Sequence, residues 1–469
     1  MSETKMSPRE RRAATALSGI YALRMLGLFM ILPVFSLYAQ VLPGATPLMV
    51  GVAIGIYGLT QALLQIPFGL ASDRLGRKPV IVVGLLLFAA GSVVAALAED
   101  IWWVVIGRAL QGSGAIAAAI MALNADLTRE ENRLKAMAMI GMSIGFAFAA
   151  ALVLGPLLDN LVGLSGIFWI TAVLALGAVA VVIWWVPNPV VSRRHRDAEP
   201  VPEQFRAVVR NRELLRLDAG IFLLHLVLTA TFVAVPLALR DEAGLASVHH
   251  WWVYLPVLLI GMGAMVPFVI LAEKRRKMKQ VFVGAVAALL LAELVMALGH
   301  AHLATLVGGL IVYFVAFNVL EATLPSLVAK TAPPDMKGTA MGLYSSAQFL
   351  GAFLGGVLGG AVLQYFGLGA VFVFTAAVLA LWLVIAATMA APRYLTSQVL
   401  SVGDVSEAEA ADLASRLAAI PGVAEAVVIP EDGVAYLKVD THTLDQEALE
   451  RMRRKLAWRH APQTAGQSG

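Results

Sequence analysis

Five ionisable side chains interrupt long apolar runs in this sequence: Arg24, Arg108, His225, Glu293 and Glu321. Holding a charge away from water is expensive, so each is by default a functional residue. The phrase Phe314-Val315-Ala316-Phe317-Asn318-Val319-Leu320-Glu321 sets Asn318 and Glu321 three positions apart, on one side of a helix. A carboxylate that can be either neutral or charged suits proton coupling. The same carboxylate also suits a fixed ion pair that neutralises an arginine, with Arg24 the leading partner by depth. Arg108 has a plainer alternative, because it lies about two turns from the end of its run and can snorkel. Glu293 reads as peripheral or structural. Gly141-Met142-Ser143-Ile144-Gly145 spells the hydrolase elbow but sits inside an apolar helical run, so it reads as helix-packing glycine. No catalytic constellation appears, and the sequence is not read as an enzyme.

The elements that hold these groups follow from composition. Of 469 residues, 59% are hydrophobic and only 14% charged, with a mean hydropathy of +0.80. Soluble domains carry roughly 25% charged residues, so lipid must be the solvent for most of this chain. Twelve runs reach spanning length, near 14–40, 48–71, 79–98, 101–125, 136–159, 164–186, 217–239, 251–272, 281–299, 303–327, 339–362 and 368–391. With the N-terminus inside, Lys and Arg crowd the inner loops and the outer loops hold Arg240 alone, which places both termini in the cytoplasm. The net charge of +4 belongs to those loops facing anionic lipid, and nucleic acid is not implied. With no Cys, disulfides, Cys-ligated zinc and iron–sulfur clusters are excluded. No metal or cofactor is expected.

The chain divides into a six-helix bundle over 1–186, a proline-rich basic linker over 187–213, a second bundle over 214–392, a soluble domain over 393–460 and a disordered tail over 461–469. Glu203–Leu215 could lie on the inner leaflet as a short amphipathic helix. The halves repeat. Pro67-Phe68 before Asp73-Arg74 recurs as Pro267-Phe268 before Glu273-Lys274, and Arg133–Met137 recurs as Lys337–Met341. Duplication of a six-helix unit puts a substrate site between the halves, near mid-membrane.

After the second span comes Gly69-Leu70-Ala71-Ser72-Asp73-Arg74-Leu75-Gly76-Arg77-Lys78. A basic inner loop accounts for its Arg and Lys, but not for Gly69, Asp73 and Gly76 at these spacings. The loop resembles the G-x-x-x-D-R-x-G-R-K signature of the major facilitator superfamily. Arg108-x-x-Gln111-Gly112-x-Gly114-Ala115 resembles that family's fourth-span motif. Its drug–proton antiporters carry a longer fifth-span motif, of which Gly155-Pro156 survives here, while Met142, Ala151 and Asp159-Asn160 depart from it. The resemblance implies an all-α membrane fold of twelve helices in two halves. It implies a conformational latch of Gly69, Asp73, Arg74, Gly76, Arg77 and Lys78 with Asp126 as partner carboxylate, closing on the eleventh span near Gly338. It also implies that spans one, four, seven and ten line the cavity, which puts Arg24, Arg108, His225 and Glu321 there, one on each, with Asn318 beside Glu321.

Beyond residue 393 strands are expected at Gln398–Val402, Ala424–Ile429 and Val434–Val439, with helices at Glu407–Ala419 and Leu444–Trp458. Glu431-Asp432-Gly433 marks a hairpin turn. The order βαββα is a small α+β ferredoxin-like domain. The expected function is proton-coupled transport in the bacterial inner membrane, with efflux of a small molecule by alternating access. The alternatives are an importer or facilitator, or a membrane sensor with a regulatory domain. Protons, a small-molecule substrate and the bilayer are the expected partners, and the chain is read as a monomer.

Overall fold

The computed structural model describes residues 5–38, 41–189, 204–391, 395–403, 405–430, 433–440 and 443–459. The middle of the expected linker, the turn residues Glu431 and Asp432 and the expected disordered tail lie outside the described residues. Helix α1 (Pro8–Phe29) starts from a capping box in which Ser7 and Glu10 satisfy each other's backbone N–H groups. A turn through Pro33 leads to α2 (Phe35–Tyr38). Thr46 caps α3 (Pro47–Leu75). Gly76, at φ 95°, makes the corner into α4 (Arg77–Ala96), a backbone shape that a side chain disfavours. Asp100 caps α5 (Ile101–Ser113), and the fourth-span motif then breaks the helix before α6 (Ala117–Asp126).

Helix α7 (Glu130–Ala180) continues into a π-helical turn, Val181–Trp185. Its 51 residues would reach about 76 Å if straight. They do not run straight, because Gly163 adopts φ 67°, ψ 177° and reverses the chain. Both ends therefore return to the start of α1: Arg129 bonds Glu10 at one end, and Arg12 stacks on Trp185 at the other. Among the described residues ten segments are long and apolar enough to cross a membrane. The folded-back one supplies two crossings. Helix α1 falls outside those ten, with Arg9, Glu10, Arg11, Arg12 and Arg24 in its sequence, and makes the twelfth crossing.

The second half is α9 (Arg212–Leu237), α10 (Trp251–Lys274), α11 (Met278–Gly299), α12 (Leu303–Thr331), α13 (Lys337–Phe366) and α14 (Leu368–Ala387). Before it, the expected amphipathic segment is a six-residue helix, α8 (Phe205–Arg210), ended by Asn211, which caps α9 through the amides of Glu213 and Leu214. Glycines set the register of the helix pairs. Gly351, Gly355 and Gly359 of α13 lie against the backbones of Phe222, Leu226 and Ala230 of α9, while Gly51 and Gly55 of α3 meet Gly356 and Phe353. A methyl group at any of these positions would collide with the facing helix. Gly141 and Gly145 do not serve this purpose. A side chain at either would meet nothing, so the expectation that they pack helices is corrected.

The domain after the spans is β1 (Thr396–Ser401), α15 (Glu407–Ala418), β2 (Val423–Ile429), β3 (Val434–Val439) and α16 (Gln446–Arg459). Strand β3 lies between β1 and β2, antiparallel to both. Val402, Leu413, Leu417, Leu437 and Leu456 form its separate core.

Candidate functional site

The loops rich in Lys and Arg gather at one end of the bundle, together with the start of α1 and the terminal domain. This is the basic end. At the far end the halves close on each other: α9 is buried on every side from Leu224 to Leu239, as is α1 and its turn from Met30 to Leu37. At mid-depth Phe148 of α7 stacks on Phe317 of α12, centroids 6.0 Å apart, and sits 6.3 Å from Phe314. Toward the basic end Asp218, Ala219, Phe222 and Leu223 of α9 are only partly covered. The space between the halves therefore opens at the basic end.

Glu321 and His225 meet in that space, His225 Nε2 lying 3.3 Å from Glu321 Oε1. Gln348 of α13 places its amide nitrogen 2.8 Å from the same Nε2, and Nδ1 is 3.3 Å from the Ile221 carbonyl. A carbonyl can only accept, so Nδ1 carries hydrogen in that contact and Nε2 of the neutral ring is an acceptor. Nε2 faces the Gln348 amide, and Glu321 Oε1 has no hydrogen-bond partner, so a proton gained by either group would rearrange this contact. The Glu321 side chain is 31% exposed, while its Oε1, facing His225, is buried. Asn318 points elsewhere, against Gly261 of α10, with Nδ2 3.3 Å from where a side chain there would begin.

Arg24 and Glu321 are not brought together. Arg24, 2% exposed, donates from Nη2 to Gln61 Oε1 at 2.5 Å, and its guanidinium carbon lies 5.8 Å from the Tyr57 and Phe88 ring centres. Arg108 lies over the same Tyr57 ring at 5.0 Å and donates to Gln111 Oε1 at 2.8 Å and to the Ala53 carbonyl at 3.4 Å. It is buried among α3, α4 and α5 through Gln111, which bonds Ser92, and it does not snorkel. Sequence reading missed Gln61, Tyr57 and Gln348. The two amides interrupt apolar runs just as the charges do, so a search for any buried polar residue finds them.

In the loop from Gly69 to Lys78, Arg77 opens α4 and binds three groups. It contacts Asp73, donates to Ser72 Oγ at 2.9 Å and lies 3.4 Å from Asp126 Oδ2. Lys78 caps the end of the π-helical turn, bonding the Val186 carbonyl at 2.9 Å and Asn188 Oδ1 at 3.0 Å. Arg74 is exposed. Gly69 faces Ala118 of α6, in its own half, rather than the eleventh span. Contact with that span is made further along α3, where Gln65 bonds the Gly342 carbonyl at 3.0 Å and Ser346 Oγ at 2.9 Å. Beside this loop, Glu10 accepts from Arg129, whose guanidinium holds the carboxyl down to about 2.

The counterpart loop of the second half is built differently. Glu273 accepts from Lys330 at 2.5 Å and from Ser326 at 2.7 Å. The terminal domain completes it: Lys438 Nζ donates to the Lys330 carbonyl at 2.6 Å, at the end of α12, and Arg276 bonds Asp440 at 2.8 Å. A cation at a helix C-terminus is favourably placed against the helix dipole. Burial lowers the pKa of Lys438.

Two six-helix halves, a shared cavity and this loop chemistry agree with the family comparison, in which the model of the Major Facilitator Superfamily matches residues 17–356 and 323–409. The chain belongs to the major facilitator superfamily. A second family, the YajR YAM domain, matches residues 404–455. The inner membrane transport protein YajR of Escherichia coli is 49% identical over 96% of this chain and 99% of its own. The multidrug resistance protein MdtH of Yersinia enterocolitica is 27% identical over 71% of this chain and 82% of its own. Among solved structures, a bacterial homologue of the human lysosomal transporter Spinster, inward-facing and occupied, superposes with a TM-score of 0.69 at 14% identity, over 82% of this chain and 98% of that one. Within the superfamily the chain is thus a multi-pass inner-membrane transport protein with a YAM-type terminal domain, and not an enzyme.

Proposed function

We propose that this protein is a proton-coupled exporter of a small molecule, working by alternating access, with its basic end and both termini in the cytoplasm. The observation that carries the reading is the Glu321–His225 pair, 3.3 Å apart on facing helices and open to the basic end. A proton on this carboxyl leaves when the cavity meets water of higher pH, so its binding and release can follow the side to which the cavity opens. Arg77, held by Asp73 and Asp126, serves as the conformational latch between the two openings. The basic loops support the orientation. The relative MdtH, called a multidrug resistance protein, supports export, and YajR, an inner membrane transport protein, supports transport.

The test uses purified protein in proteoliposomes and a panel of lipophilic cations, carboxylates and neutral drugs. Glu321→Gln, which resembles the protonated acid, should keep exchange of labelled for unlabelled substrate. It should stop accumulation driven by a pH gradient, and the pH dependence of transport should vanish. Proton-driven accumulation that survives in Glu321→Gln removes the carboxyl from the coupling role.

A further inference from the structure

The wall of the first half holds a group of buried donors that no protein acceptor reaches. Arg24 uses Nη2 on Gln61, but its Nε and Nη1 have no partner; neither do the amide nitrogen of Gln61 and the hydroxyl of Tyr57. All three residues are at most 2% exposed. The polarity of the group is one-sided. Three of the four atoms can only donate, and Gln61 Oε1 is already taken by Arg24. Charge adds to this. Arg24 and Arg108 flank the Tyr57 ring, and among the described residues neither forms an ion pair. Guanidinium stays protonated at any physiological pH, so the positive charge cannot be shed.

We infer that Arg24, Gln61 and Tyr57 form a binding site for a small anionic group, a carboxylate or an inorganic anion, in the first half's wall of the transport pathway. Buried polar atoms are nearly always paired, and donors gathered around a guanidinium pair most strongly with an acceptor that carries negative charge. A packed aromatic surface adjoins the donors: Tyr57 lies 6.4 Å from Phe88 and 6.5 Å from Phe349 of α13. Helix α13 also ties the site to the proton pair. Gln348 holds His225, and the next residue, Phe349, touches Tyr57. An anion drawn to Arg24 thus bears on the same turn of α13 that positions His225. The inference rests on the transport reading above and names the substrate class, an anion, for it.

The experiment measures binding without any gradient, so it stands apart from the coupling test. Full-length protein in lipid nanodiscs is titrated calorimetrically with sodium benzoate and, separately, with sodium chloride, at constant ionic strength in methanesulfonate. Saturable binding of benzoate is expected, lost in Arg24→Gln and weakened roughly tenfold in Tyr57→Phe, which removes one hydroxyl from a charge-assisted contact. If chloride does not compete, the carboxylate of a transported substrate is the source of the anion; if chloride competes or alone binds, a free anion is. Tyr57→Phe keeps the test decisive should Arg24→Gln fail to fold. Absence of saturable binding of either anion, or affinity unchanged in both variants, overturns the inference and assigns the donors to internal water.

Discussion

The two halves share a scaffold and differ in the sign of what they bury. In the first, Arg24 and Arg108 lie at mid-bundle without a carboxylate. In the second the ionisable groups at mid-bundle are acids and the partner of one. Glu321 meets His225, and Glu293, fully buried in α11, accepts from Thr231 at 2.6 Å and Thr375 at 2.8 Å. The basic end differs in another way. The first half closes its loop ionically within itself, through Arg77 with Asp73 and Asp126 and through Glu10 with Arg129. The second leaves Glu273 and Lys330 partly exposed and is completed by the terminal domain. The repeat keeps the loop positions but not their charges, so a repeat locates a loop without saying what the loop holds.

The sharpest way to break that comparison is to remove the central cation of each loop. Arg77→Ala leaves Asp126, 1% exposed, without its arginine, and losing one partner of a buried pair typically destabilises by about 3–5 kcal/mol. Thermal unfolding in detergent should drop accordingly and transport should be lost. Lys330→Met, whose partner Glu273 is 38% exposed, should cost about 1 kcal/mol or less. Equal losses would mean that the two loops are equivalent after all.

The effect of acid on the Glu10 pairing of the first half should be intermediate. Glu10 has its pKa lowered from 4.5 to about 2 by Arg129. A carboxyl with a depressed folded-state pKa contributes stability that is fully present above about 4.5 and is lost as pH falls toward about 2. Unfolding temperature followed from pH 6 to pH 2.5 should therefore fall more steeply in the wild type than in Glu10→Gln. Parallel curves would show that the Arg129 pairing contributes nothing.

The smallest effect belongs to the terminal domain's grip. Asp440→Asn breaks a half-exposed pair with Arg276 and should cost under about 1 kcal/mol, visible as slightly faster amide exchange in β3 and not as lost transport. A large fall in transport would make the domain part of the moving machinery.

Much of this was legible in the sequence, because lipid enforces apolar runs and segregated Lys and Arg. The loop from Gly69 to Lys78 and its partner Asp126 could be paired from a family signature, and the expected tail strands fall within about two residues of those observed. The pairing of Glu321 was not legible. Depth along a helix favoured Arg24, but depth says nothing of azimuth, and α12 turns Glu321 toward α9. Gly69 shows the same limit: a small residue announces a close approach, not which helix approaches. The docking of Lys438 depends on tertiary contact between distant segments, which no local pattern records.

The unpaired arginines bear finally on electrical work. The inside of a bacterium is negative, and moving one elementary charge through 100 mV is worth ~2.3 kcal/mol. An anion leaving and a proton entering both run down that potential, so a one-for-one exchange carries two elementary charges per cycle in the same sense. Turnover should then respond to voltage even with no difference in pH across the membrane. The carrier would register as a current, whereas a one-for-one exchange of a monovalent cation for a proton would be electrically silent.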